Sequence, residues 1–348
     1  MDSIISIKKR VIILAKQLSE LDVSLKINEY LNDAGTPFKI KELIVDGEQV
    51  INGWYIRAEK IIFKPGSSIW FSEAAQQNRT NFYIVANEII CEDDNSPGLI
   101  SWQHTGVVNQ EPTSGQAASG HHGGSDGESG GVGQEGSKGN KGYNGKNAPN
   151  LTIFVLNMPS SGPEVNFKGQ DGGNGGKGQK GGDGGNGRKG RPASQSAVTC
   201  LRGAGNGGNG GNGGTGGPGG DGGDGGNGGI VTVISKGDLL PSLEQKLRVI
   251  VSGGLGGPGG DGGDGGNPGL GGPGGEAALP LCAGNGSSGS SGIGGESGPA
   301  GETGRAGVDG DVFHGPITEE NIINIFNIDP IPLIRNLVRS IRNNNPEQ

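Results

Sequence analysis

Aromatic residues make up 4% of this 348-residue chain and apolar residues 30%, too few to bury one large hydrophobic core along the whole length. Positive charge is not in excess: 28 Lys and Arg stand against 36 Asp and Glu, a formal net charge of -8. Nucleic-acid binders usually carry a basic stripe, so no nucleic-acid partner is expected. No run of 18 apolar residues occurs, and no helical membrane span is expected. The opening MDSIISIKKRVIILAKQLSELD places its basic cluster after the first isoleucines and lacks a small-residue cleavage site, which argues against a secretory signal peptide. Catalytic constellations are missing as well. No GxSxG, HExxH, CxxC or paired-carboxylate constellation stands on a rigid element, and there is no GxxxxGK[ST]. The chain therefore reads as non-enzymatic, with no cofactor and no metal. Three cysteines, Cys91, Cys200 and Cys282, leave at least one unpaired.

Glycine is what the chain has in abundance, 77 residues, roughly three times the usual ~7%. Residues 205–229 read GNGGNGGNGGTGGPGGDGGDGGNGG. Two phases of a three-residue period hold only glycine, and the third carries every side chain. A period of three fits neither a helix nor a strand, but it fits the left-handed polyproline II helix. Two bare faces would let such helices lie side by side and exchange backbone hydrogen bonds, the arrangement called polyglycine II. A flexible linker needs no phase, yet the phase is kept through 124–145, 169–190, 205–229, 254–275 and 286–310. Proline is scarce in these tracts and double-glycine triplets dominate, which favours an intramolecular bundle over a collagen trimer.

Between the tracts lie short β-branched and aromatic segments bounded by Gly, Pro and Asn. They are Leu43-Ile44-Val45, Trp54 to Ile56, Lys60 to Phe63, Ile69 to Phe71, Phe82 to Cys91 and Leu99 to Trp102. A repeat follows, in which LTIFVLN (151–157) corresponds to IVTVISK (230–236), 79 residues apart, and each copy leads into a glycine tract. The fold class expected is mainly β plus polyglycine II. A β-solenoid or barrel-like base carries an elongated bundle of about six polyproline II helices, with short helices at both termini.

The division runs as a helical cap at 1–35 and a β base at 36–102, with further base strands at 151–167, 230–251 and 311–313. Glycine hairpins occupy 103–150, 168–229 and 252–310, and a helical segment fills 317–348. Residues 1–22 are amphipathic and open to self-association. From Ile317 a helix begins with Thr318 as N-cap, and Ile334, Leu337, Val338 and Ile341 later face away from Arg335, Arg339 and Arg342. The tracts 205–229 and 254–275, with the barest faces, should lie innermost. Asp221, Asp224, Asp261 and Asp264 read as a solvated column, because GGDGGDGGN lacks the apolar position of the calcium-binding nonapeptide.

These tracts resemble known polyglycine II bundles: the glycine-rich tip adhesins of T-even-like phage tail fibres, the glycine domain of Obg-type GTPases, and springtail antifreeze proteins. The resemblance covers roughly residues 103–310 and rests on Gly-x-x periodicity. It implies a rigid shaft and, from the adhesins, receptor-binding loops at the far end.

Independently, Cys200 and Cys282 hold matching places in the two far turns and are expected to form a disulfide, with Cys91 a buried thiol in a strand. The turns hold the apolar residues nearest the shaft's end. Ala117, His121, His122, Arg191, Val198, Leu201, Leu279 and Leu281 are the expected partner-binding residues. The leading expectation is an attachment protein, extracellular or particle-associated, that binds a protein or glycan receptor on a cell surface. A toxin component reaching membranes through its terminal helices is the alternative. Ice binding comes third, because Lys, Asp, Asn, Arg and Glu interrupt any flat Ala/Thr face.

Overall fold

The structure, a computed structural model, describes residues 40–77, 79–106, 115–318, 321–322 and 331–344. The N-terminal cap and its proposed self-association fall outside these residues, as do Ile323 and Phe326 of the expected 317–330 helix.

The chain is mainly β. Strands β1 (Ile40–Val45), β3 (Tyr55–Phe63), β5 (Asn81–Cys91), β7 (Asn150–Asn157), β11 (Val231–Lys236) and β13 (Val312–Ile317) form one six-stranded sheet in that order. Strands β2 (Glu48–Ile51), β4 (Ser68–Phe71), β6 (Leu99–Trp102), β8 (Glu164–Asn166) and β12 (Val249–Ile250) form a second sheet, also in that order. Every pairing within both sheets is parallel. The chain thus alternates between the sheets as it advances, and among the described residues it closes no barrel. Two isolated strand segments in the sequence, at 54–56 and 60–63, are one strand, β3, and β2 was not expected.

One apolar layer fills the space between the sheets. Val45, Ile61, Phe63, Ile84 and Ile153 from the first sheet and Ile69, Phe71, Ile100, Trp102, Val165 and Phe167, from or just past the strands of the second, belong to a single buried cluster. Phe71 and Phe82 stack with ring centroids 4.4 Å apart. The opposite face of the first sheet buries Tyr83, Val85, Phe154 and Ile234 under helix α3 (Ile331–Asn344), through Ile331 and Ile334. Central strands covered on both faces become continuous apolar runs, which is why FYIVA in β5 shows no alternation. A Cβ on Gly315 in β13 would sit 1.9 Å from Ile341 Cδ1, so glycine there lets the helix approach. Arg342 was expected on the solvent side. Instead it is half-buried, and its guanidinium donates to Thr232 Oγ1. Ile317 ends β13 rather than opening a helix.

Two short helices were not legible. Residues α1 (Glu73–Gln76) and α2 (Leu240–Lys246) fill connections read as loops. The repeat register also shifts by one: Leu151 pairs with Val231, not Ile230, which sets Thr152 beside Thr232. A one-residue slip turns every side chain to the other face of a sheet, so the tertiary register corrects the spacing read from LTIFVLN and IVTVISK.

All three glycine hairpins lie where the chain crosses from the second sheet to the first, between β6 and β7, β8 and β11, and β12 and β13. Their tracts are neither helix nor strand, and they are joined at every third residue. Gly207, Gly210 and Gly213 N–H donate to Ser287, Ser290 and Ile293 O; Gly208, Gly211 and Gly214 N–H donate to Arg188, Gly185 and Gly182 O. The tract 205–229 exchanges such bonds with 130–148, 169–190, 254–275 and 286–310, and 169–190 likewise has four neighbours. The innermost tracts are therefore 169–190 and 205–229. The tract 254–275 has three neighbours, despite faces that are bare but for Pro268.

Close approach explains the glycines. An added Cβ at Gly222 would lie 1.8 Å from Gly257 O, whereas at Gly294 the nearest atom is Pro268 Cδ at 3.6 Å. Gly222→Ala is expected to destabilise by more than ~1 to 3 kcal/mol through overpacking. Gly294→Ala should be neutral or stabilise by up to ~1 kcal/mol, from lost freedom in the unfolded chain. Thermal melts of the two variants measure the difference.

Candidate functional site: the disulfide-joined turns

Beyond residue 190 the chain forms an antiparallel pair, β9 (Ser194–Gln195) and β10 (Cys200–Arg202). The second turn, 276–285, lies against it. Ala278 and Cys282 exchange backbone hydrogen bonds of 3.1 and 2.8 Å, and Gly284 turns the chain at φ 98°, a region that side chains disfavour. Cys200 and Cys282 form a disulfide between the two turns. Gln195 locks the same contact with both ends of its amide: Nε2 donates to Leu279 O at 2.7 Å, and Oε1 accepts from Leu281 N–H at 2.9 Å. Ala193 N–H donates to Glu276 O, and Lys189 Nζ lies 2.6 Å from Glu276 Oε1. Nothing in RPASQSAVTCL marks Gln195 as a bridge. Its role depends wholly on the neighbouring turn.

The clamp leaves four large apolar side chains in solvent: Val198 at 85% exposure, Leu201 at 63%, Leu279 at 71% and Leu281 at 40%. Cys282, at 3%, is covered. Apolar side chains held outward on a cross-linked scaffold lose little conformational freedom when a partner covers them.

Of the other expected contact residues, Ala117, His121 and His122 lie elsewhere. Ala117 N–H donates to Lys180 O, placing it well along the shaft. His121 O accepts from Gly131 N–H, and His122 Nδ1 accepts from Asn186 N–H at 2.8 Å. The first hairpin turns later than the sequence implies, at 124–128. There Glu128 Oε2 accepts from Gly124 N–H, Ser125 N–H and Ser125 Oγ, which holds its carboxyl below its usual range. Gly127 N–H donates to Lys189 O, so this turn sits just short of the disulfide pair. Arg191 O accepts from Gly205 N–H and closes the second hairpin, with its side chain exposed.

The polar column of 205–229 also differs from expectation. Asn206, Asn209 and Asn212 accept through Oδ1 from the N–H of Ser287, Ser290 and Ile293, and Asp221 and Asp224 from those of Glu302 and Arg305. Asp221 also pairs with Lys138 at 2.8 Å and Asp264 with Lys177 at 3.2 Å. These side chains stitch neighbouring tracts together rather than standing free in solvent.

At the junction with the base, Glu73 Oε1 accepts from Lys146 Nζ at 2.8 Å and from the N–H and Oγ1 of Thr105. Its pKa falls to about 2, first through the Lys146 hydrogen bond and then through Thr105. Cys91, at the end of β5, is a buried free thiol that burial pushes up. A cleft of about 670 Å³ on the first sheet is lined by Lys41, Glu42, Lys60, Glu88 and Asn157. Two of its charges are already paired, Lys60 with Glu88 at 3.0 Å. Among the described residues no helix is long and apolar enough to cross a membrane.

No protein-family model matches the chain, and no curated protein matches it. One solved structure, the nine polyproline type II helical bundle antifreeze protein of the springtail Granisotoma rainieri, aligns at 26% identity. The alignment covers 52% of this chain and 94% of that one. Its TM-score is 0.09, too low to bear on fold or function.

The disulfide closes a loop with a sequence separation of 82, which on the chain-entropy model stabilises by about 4.5 kcal/mol. Replacing both cysteines with serine is expected to lower the thermal midpoint and speed amide exchange at 191–204 and 276–285 first. Unchanged exchange there would contradict the clamp.

Glu73 supports a second prediction. Its folded pKa lies below its ordinary 4.5, so its contribution is complete above about pH 4.5 and is lost as pH falls towards 2. Glu73→Gln should lower the melting temperature at pH 7 and flatten its fall between pH 4.5 and 2, as measured by melts across that range.

Proposed function

We propose that the glycine tracts are polyproline II helices packed as polyglycine II, standing on a β-solenoid, and that this shaft presents the disulfide-joined turns to a receptor. The three-residue interval of the inter-tract hydrogen bonds, and the lack of helix or strand within the tracts, support the first part. At ~3.1 Å per residue, tracts of this length reach roughly 70 to 80 Å. Scattering from the monomer in solution should therefore show an elongated particle. A compact one sinks this reading.

The attachment function rests on one observation: Val198, Leu201, Leu279 and Leu281 are exposed together on two turns that a disulfide and Gln195 hold rigid. Exposed apolar groups at the end of a polar shaft are what a contact surface needs, and loops on a rigid scaffold commonly place binding residues. The chemistry suits a cell-surface protein or glycan with an apolar patch. An oxidising, extracellular or particle-associated setting fits the disulfide. In this reading the protein resembles the glycine-rich tip adhesins and performs no catalysis.

Replacing 191–204 and 276–285 with short Gly/Ser connectors should leave the elongated shape intact and abolish cell binding. If binding or toxicity survives that change and is lost on deleting 317–348, the toxin reading replaces this one.

A further inference from the structure

The tracts lie in two layers, and each follows the same bonding rule. Within a layer, the Gly169 series donates N–H to 252–273 and the Gly207 series donates to 287–308. Between layers, each tract from 169–190 onward donates a second glycine series to the tract before it: 208–229 to 167–188, 254–275 to 205–226, and 286–310 to 251–275. The two rules mean that every interior tract presents one row of donors and one row of acceptors to the tracts that come after it.

The last two tracts have no successors. Among the described residues the N–H groups of Gly256, Gly259, Gly262, Gly265, Gly271 and Gly274 donate to nothing, and neither do the carbonyls of Gly289, Gly292 and Gly295 accept an N–H. The donor row on 254–275 and the acceptor row on 286–310 are the two rows that a further tract would satisfy. One member of the donor series is already satisfied, because Gly253 N–H donates to Asp309 Oδ1 at 2.8 Å. Asp309 belongs to the column Ser288, Ser291, Gly294, Ser297, Ala300, Thr303, Ala306, which places this column beside the open donors. Its remaining members are small and exposed, and the donor row is interrupted once, at Pro268, which has no N–H and whose ring lies beside Gly294.

We infer that this edge is an interface with a second copy of the chain, which meets it edge to edge about a two-fold axis. The inference rests on the polyglycine II reading above. The edge is self-complementary: its donor row can face the partner's acceptor row while its acceptor row faces the partner's donors, as an isologous contact requires. It also continues an interface already repeated between the tracts within one chain. A flexible glycine peptide is disfavoured as occupant, since ordering each residue costs ~1 to 2 kcal/mol, with glycine at the high end, against a net of ~1 per hydrogen bond. A second copy brings its rows already ordered.

Sedimentation of the full chain should show a monomer–dimer equilibrium. The triple variant Ser291→Lys, Ser297→Lys, Thr303→Lys should raise the dimer dissociation constant about tenfold or more, which corresponds to ~1.4 kcal/mol. Ser290→Lys, Ile293→Lys, Val308→Lys adds the same charge on the neighbouring column of the same tract and should leave the dimer intact. Circular dichroism confirms that both variants fold. In the wild type, amide exchange at Gly259 and Gly262 should slow as concentration rises. A wild type that stays monomeric at every concentration reached overturns the proposal, as does a dimer indifferent to the edge lysines or lost equally in the control. A monomer that scatters as an elongated particle but never dimerises sinks this interface alone; a compact monomer sinks the polyglycine II reading beneath it.

Discussion

Direct backbone-to-backbone contact between glycine tracts is the constraint on which the rest of this molecule depends. Among the described residues the glycine tracts bury no apolar core, and its place is taken by N–H···O bonds repeated at every third residue, such as Gly217 to Gln179 and Gly220 to Gly176 at 2.8 Å. Such spacing leaves no room for a Cβ on the inward phases. At Gly219 a side chain would start 1.9 Å from Gly260 O. In 205–229 only the third phase varies, carrying Asn, Asp, Thr and Pro, whereas 169–190 also holds Gln170, Gln179 and Arg188 on a second phase.

Hydrogen bonds alone offset poorly the conformational entropy that glycine loses on folding. The tracts are accordingly held at both ends. At one end the tracts continue into parallel strands, whose register is set by an ordinary buried layer of Ile, Val and Phe. At the other, the Cys200–Cys282 disulfide and Gln195 tie the turns together. Between these anchors the Asn and Asp column adds cross-links of its own. Asp221 accepts a neighbour's N–H with one oxygen and meets Lys138 with the other, and while an exposed ion pair contributes little by itself, this one sits on an already ordered carboxylate.

The same architecture separates the exposed apolar turns from the folding core. Phe71, Phe82, Trp102 and Phe167 are buried in the base, while Val198 and Leu279 stand in solvent at the turns. A substitution at the turns touches neither the sheet register nor the inter-tract bonds.

The period of three, the strand-forming segments and the matching positions of Cys200 and Cys282 were legible in the sequence, because each is a local pattern or a repeat. Tertiary structure alone decided the rest. Which tracts are central depends on how many neighbours each has, and bare faces on 254–275 could not reveal that, among the described residues, one side of it meets no other tract. The pairing of Leu151 with Val231 follows from packing across two sheets, which overrides the apparent alignment by one residue. His121 and His122 seemed to mark a turn, yet the chain turns only at Glu128, where one carboxylate gathers three donors. Gln195 and Arg342 carry no local signal at all. Their partners are distant in sequence, and a hydrogen bond between distant residues exists only once the fold has brought them together.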